Sequence, residues 1–267
     1  MADTEEKSMT FWDHLDELRK VLFRTAIAVF AIAVVAFLNK DLLFEVVFAP
    51  SHSDFATYRF FCHLGEMLNM PAICPGEFEV ELINTELAAQ FFTHMSVSLY
   101  AGLLLASPYI IFLLFGFIKP ALYAHERKYS NRLLFFAFLL FFVGILLSYF
   151  VIFPLSFRFL GTYQVNEFVK NTINLSSYIS TFTILSILMG AVFEMPILAY
   201  FLAKIGMLGS DTLKKFRRHA TIVILIAAAF ITPTADVITL LLVAVPMYAL
   251  YELSIFVVKR NTKSVES

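Results

Sequence analysis

One carboxylate stands alone in the most apolar part of the chain. Glu194, in GAVFEMPILAY (190–200), has no charged neighbour between Asn171 and Ala203. It lies ten residues before Lys204, or about 15 Å along a helix, roughly half of a ~30 Å hydrocarbon core. An ionised group at that depth costs on the order of 3 kcal/mol on insertion scales. Two readings are open: a neutral Glu hydrogen-bonded between helices, or a Glu facing a polar cavity. Other carboxylates sit beside basic residues. MTFWDHLDELRKVLFR (9–24) carries Asp13, Asp16 and Glu17 on one side of a helix, with Lys20 in reach of both Asp16 and Glu17. FIKPALYAHERKY (117–129) carries Glu126 among His125, Arg127 and Lys128. Each has a plain reading as a local salt bridge. The alternative is that Glu17 and Glu126 meet in space and bind an arginine-rich ligand. Carboxylates match guanidinium in bidentate pairs, and two adjacent arginines want two such groups.

The elements that position these groups are membrane spans. Of 267 residues, 60% are hydrophobic, 31 are Phe, and the mean hydropathy is +0.78; a soluble domain is about 45–50% apolar. Six apolar segments run near 21–38, 91–118, 133–153, 177–203, 217–231 and 238–257, giving an all-α polytopic protein with one transmembrane domain over 1–267. The first 20 residues are polar and acidic, with no cleavage site of the secretory type after the first apolar run. Sixteen of the 20 Lys and Arg fall on the N-terminal flank, the second-to-third connection, the fourth-to-fifth connection and the tail. The other face keeps Lys40, Arg59, Arg158 and Lys170. Basic residues favour the cytoplasm, so both termini are predicted there. A net charge of −1 gives no reason to expect a nucleic-acid partner.

Thr10 and Asp13 have capping-box spacing. Phe11, Leu15, Leu18 and Leu22 then form one stripe, so an amphipathic helix lies along the surface or runs straight into the first span. The outer loop, 39–90, reads as short helices and turns, with FEVELIN (78–84) extended. It holds Cys62 and Cys74; a disulfide and two free thiols both remain open. The fifth segment has 15 residues, about 22 Å, short of a ~30 Å core. TPTAD (232–236) turns it into the sixth, with Pro233 as the stop and Thr234 or Asp236 as the cap. Pro108 and Pro246 mark candidate kinks.

HLDELR (14–19), SPY (107–109), FIKPALYAHER (117–127), YFVIFPLSFRFL (149–160), VFEMP (192–196), TPTAD and PMYALYE (246–252) follow one another in the order of the TatC family, which this chain resembles across about residues 9–258. TatC is the membrane receptor of the twin-arginine protein translocase. The resemblance implies a non-enzymatic subunit of the bacterial cytoplasmic membrane. It would bind twin-arginine signal peptides, assemble with TatA- and TatB-type single-span proteins, self-associate, and export folded proteins on the proton-motive force. Neither cofactor nor metal is implied, and no GxxxxGK[ST] motif is present. Matching positions put the arginine pair on Glu17 and Glu126, with Arg19 orienting that surface and Phe117 at its edge. Pro50 matches a position needed for transport, and Thr232 and Asp236 the turn of partner contacts, with the fifth segment as a partner-docking helix. Glu194 matches an intramembrane glutamate facing the hollow of a concave, cupped wall of six helices. Phe112–Phe115 and Ile238–Thr239 stand where many relatives have Tyr-Gln-x-Trp and Ser-Gln, which leaves partner contacts there unassigned. A proton-coupled transporter using Glu194 as relay predicts paired broken helices in two halves, and no such symmetry is seen. An intramembrane hydrolase would need Ser148 and His94 together, yet they lie on separate spans.

Overall fold

A computed structural model of the chain describes residues 11–70, 74, 78, 80–118, 130–164, 166, 171–232 and 236–263. In chain order the helices are α1 (Phe11–Leu38), α2 (Lys40–Phe48), α3 (Ala56–Met67), α4 (Ala89–Ile118), α5 (Ser130–Leu147), α6 (Phe153–Thr162), α7 (Leu175–Phe193), α8 (Met195–Lys204), α9 (Ser210–Lys215), α10 (Arg217–Ile231) and α11 (Val237–Lys263). Among the described residues, five stretches are long and apolar enough to cross a membrane: His14–Leu38, Ala89–Phe117, Leu133–Thr162, Leu175–Lys204 and Val237–Lys259. The fifth segment of the sequence reading is α10, which is not one of these five and whose 15 residues match the expected short helix. Among the described residues the fold is all-α apart from one parallel strand pair, β1 (Glu81–Ile83) and β2 (Thr172–Asn174), in register Glu81 to Thr172 and Ile83 to Asn174. FEVELIN is thus extended in part, and its partner lies about 90 residues away, beyond any local signal. Large apolar side chains such as Phe30, Phe112 and Phe230 remain exposed, as lipid-facing residues of a spanning protein do.

The amphipathic start and the first span are one continuous helix, so α1 runs straight into the apolar region rather than turning along its surface. Thr10 and the Asp13 side chain lie outside the described residues. Two proline positions reset the expected boundaries. The third segment does not end at residue 153 but continues as far as Thr162 through a π-helical turn, Ser148–Ile152, and then Pro154 at the start of α6. The fourth is interrupted: α7 ends at Phe193 and α8 begins at Met195. Pro196 lacks the N–H that would bond Val192, which breaks the ladder just after Glu194. By contrast, Pro108 and Pro246 sit inside continuous helices. Pro108 frees the carbonyl of Leu104, and Ser107 Oγ donates to that oxygen at 2.6 Å, so the part-buried acceptor is not left unmatched.

The chain falls into two compact units. The first comprises residues 1–39 and 98–138. Within it α1 and α4 touch backbone to backbone: a Cβ on Gly102 would stand 2.6 Å from Val29 O and 2.9 Å from Ala33 Cβ. The second comprises residues 40–97 and 139–267. Its core holds Tyr58, Ile152, Phe153, Tyr178, Leu185 and Met189, all essentially inaccessible. Here α5 and α7 meet through reciprocal glycines. A Cβ on Gly144 would lie 2.7 Å from Met189 O, and one on Gly190 would lie 2.9 Å from the Phe141 ring. Small residues that admit close approach are the usual means of holding helices together in lipid.

Candidate functional site

In the first unit, the N-terminal motif is fixed by an aromatic contact. The His14 ring stacks on Phe117, with centroids 4.2 Å apart and planes at 26°. The start of α1 is thereby held against the end of α4. Glu17, one turn on, is half-exposed and its Oε2 stands 3.4 Å from Lys20 Nζ. That is a long, single contact to a largely exposed ammonium, of the kind worth ~0–1 kcal/mol. Arg19 is exposed, its guanidinium 5.7 Å from the Phe23 ring centroid. The motif therefore presents Glu17 and Arg19 outward while His14 anchors it. Glu126 lies outside the described residues.

In the second unit, Glu194 is the joint between α7 and α8. Its N–H bonds Ala191 O at 3.1 Å, and its own carbonyl accepts from Ile197 and Leu198 at 3.0 Å each. The residue is half-buried, and Oε1 is fully buried without a hydrogen-bond partner among the described residues. A buried oxygen without a donor is costly to keep, by ~1–3 kcal/mol. The simpler of the two readings, a Glu hydrogen-bonded between helices, does not describe that oxygen.

Pro50 is buried at the centre of a carbonyl-capping knot. The last carbonyls of α2 have no intrahelical donors, and side chains from distant segments supply them. Tyr149 donates to Val46 O at 2.8 Å, Tyr178 to Val47 O at 2.8 Å, and Ser51 Oγ to Phe48 O at 2.7 Å. Tyr58 Oη lies 2.8 Å from Pro154 O and 3.2 Å from Pro50 O, so its single proton serves both. Beside it, Thr57 Oγ1 donates to Phe150 O, the carbonyl that Pro154 leaves without an N–H. Burial pushes the Tyr58 phenol well above its ordinary value. Sequence reasoning singled out Pro50 but none of the tyrosines around it, because their partners lie 8 to 131 residues away. A disulfide joins Cys62 and Cys74, tethering α3, which carries Thr57 and Tyr58.

The α10–α11 turn is capped as one of the two sequence alternatives had it: Asp236 Oδ1 accepts from Thr239 N at 2.7 Å. Pro233 and Thr234 lie outside the described residues. Thr232 is buried and closes α10, its Oγ1 donating to Ala228 O at 3.0 Å. At the opposite end of the same helix pair, Arg217 Nη2 meets Glu252 Oε2 at 2.7 Å, and Tyr248 donates to Oε1 at 3.3 Å. Sequence reading missed this tie, although Glu252 ends the PMYALYE motif. Ser148 Oγ donates to Ser186 Oγ at 3.5 Å, while His94 packs on Phe44; the hydrolase pairing of Ser148 with His94 is not formed.

The chain thus brings Glu17, Arg19 and Phe117 into one unit, and Pro50, Glu194, Thr232 and Asp236 into the other. The family model "Sec-independent protein translocase protein (TatC)" matches residues 13–246. A Sec-independent protein translocase protein TatC from Blattabacterium sp. subsp. Periplaneta americana is 35% identical over 256 residues, covering 95% of this chain and 96% of the relative. Its counterpart from Aquifex aeolicus is 32% identical over 256 residues, covering 96% and 97%. A crystal structure of the twin-arginine translocase receptor TatC superposes with a TM-score of 0.73 at 33% identity, covering 93% of this chain and 99% of that one. Similarity of this extent, running through the HLDELR helix, the Glu194 joint and the Pro50 knot alike, means that the chain belongs to the TatC family of Sec-independent protein translocase proteins.

Proposed function

We propose that this chain is the signal-peptide receptor and core subunit of a twin-arginine translocase in a bacterial inner membrane, with both termini in the cytoplasm. The observation that carries the reading is the presentation of Glu17. Among the described residues its carboxylate is held only by a 3.4 Å contact to an exposed lysine, on a helix start anchored by His14 on Phe117. A guanidinium that offers two parallel N–H bonds outcompetes such a contact. Glu126 supplies the second carboxylate, Arg19 orients the surface and Phe117 edges it. Glu194 serves the inserted signal peptide or a polar residue of a partner span, since its buried Oε1 has spare accepting capacity. Thr232, Asp236 and the short α10 receive TatA- and TatB-type spans, and Pro50 with its tyrosine knot keeps the outer connection rigid during export. The proton-motive force drives the cycle, the subunit carries out no catalysis of its own, and residues 1–267 act as one transmembrane domain.

Photocrosslinking of a twin-arginine signal peptide to the protein in membranes tests this reading. Capture of the Arg-Arg peptide is expected, falling at least tenfold for a Lys-Lys peptide and for Glu17→Ala and Glu126→Ala. Equal capture in all four cases sinks the carboxylate pairing.

A further inference from the structure

The second unit contains a cleft of about 1150 Å³ between α2, the turn that follows it, the start of α3 and the first turn of α4. Its depth in the membrane follows from chain position. Lys40 lies two residues beyond the span ending at Leu38, Gln90 is the second residue of the span beginning at Ala89, and Leu175 opens the span that runs to Lys204. Three span ends at one cleft set it where acyl chains give way to headgroups. One part of the lining is aromatic, from Phe44, Phe48 and Phe91. Another part carries both signs of charge, Lys40 and Arg59 against Asp41, Glu45 and Asp54, alongside neutral residues such as Gln90 and Thr93. All five charged side chains are exposed, and none makes an ion pair among the described residues. Opposite charges that line one cleft without neutralising each other are complemented by a ligand that itself carries both. A lone metal cation would leave Lys40 and Arg59 facing like charge, and a simple anion would do the same to the three carboxylates.

We propose that this cleft holds the headgroup of a zwitterionic phospholipid, its phosphate toward Lys40 and Arg59 and its ammonium toward Asp41, Glu45 and Asp54. The phenylalanines then receive the glycerol and upper acyl segments. A primary ammonium brings three N–H donors to the carboxylates and a trimethylated one brings none, so phosphatidylethanolamine is preferred to phosphatidylcholine. Phosphatidylglycerol, with no cation, satisfies only half of the lining. The proposal rests on the chain spanning a membrane and not on the signal-peptide reading.

The full-length protein, delipidated in detergent and mixed with equal amounts of the three lipids, is followed by native mass spectrometry. Phosphatidylethanolamine is expected to be retained several-fold over the other two. That preference should vanish in Lys40→Ala/Arg59→Ala and in Asp41→Asn/Asp54→Asn, both surface variants with unchanged melting temperature. Equal retention of the three lipids by the wild type overturns the proposal, as does a preference that survives in both variants. A phosphatidylglycerol preference lost only with the two cations shows an anion site and overturns it too. So does a photoreactive group at Phe91 that captures a polypeptide and no lipid in native membranes. Twin-arginine peptide capture is expected to be the same in both variants, so failure here leaves the receptor reading standing.

Discussion

Tyr58 and Glu194 are opposite solutions to burying a polar group. The Tyr58 hydroxyl is matched by Pro50 O and Pro154 O. Tyr58→Phe leaves both carbonyls without that donor and is expected to lower stability by about 1–3 kcal/mol, read as a fall in melting temperature in detergent. The phenol also sets a pH dependence. Its folded value is raised by burial, so the folded chain keeps a proton that the unfolded chain releases near the ordinary value of about 10. The contribution is complete below that pH and is lost as pH rises above it. The wild type should therefore lose melting temperature more steeply above about pH 10 than Tyr58→Phe does. Glu194 has a buried oxygen with no donor among the described residues, so removing it should relieve the fold. Glu194→Leu is expected to raise the melting temperature while abolishing export of a twin-arginine passenger. A destabilised but export-competent variant would contradict both halves of that expectation.

Helices in this chain are joined by close approach and by borrowed donors. Gly144 faces the backbone of Met189 at a distance that no side chain fits. Gly144→Leu should force α5 from α7 and destabilise by at least ~1–3 kcal/mol, visible as lost melting cooperativity and increased proteolysis. The disulfide between Cys62 and Cys74 closes a loop of 12 residues in sequence, for which chain-entropy reasoning gives about 3 kcal/mol. Reduction should loosen α3 first, and with it the Thr57 and Tyr58 bonds to Phe150 and Pro154. Hydrogen exchange across α3 and Ser148–Ile152, with and without reductant, measures that coupling. Helix breaks were only partly legible in the sequence. Pro154 and Pro196 interrupt or reshape their helices, while Pro108 does not end its own because Ser107 serves the freed carbonyl. Proline identity alone does not separate these outcomes.

Across the whole molecule, orientation is the property most open to direct test. With Cys62 and Cys74 bonded, the chain has no free cysteine, so single introduced thiols report without background. Thr212→Cys on the basic fourth-to-fifth connection should react with an impermeant maleimide only from the cytoplasmic side. Glu86→Cys in the connection after the first span should react only from the other. The reverse pattern would invert the topology and remove Glu17 from the signal-peptide side.

Residue order was enough wherever local physics is in control. Apolar length marked the spans, the 15-residue fifth segment was visible as a count, and ordered motifs identified the family; the imbalance of Lys and Arg predicts the sides that the maleimide experiment decides. Glu17 and Glu194 stood out because a charge in its setting demands a reason, and Pro50 through the resemblance alone. What answers those demands emerged only on folding. Phe117 supports the N-terminal motif, Tyr149 and Tyr178 cap α2 from 103 and 131 residues away, Arg217 finds Glu252, and Glu194 becomes a joint whose Oε1 has no partner among the described residues. Each depends on long-range packing that leaves no periodicity in the chain. In a membrane the aqueous alternative for a polar group is gone, so such partners must be found within the fold, wherever in the sequence they happen to lie.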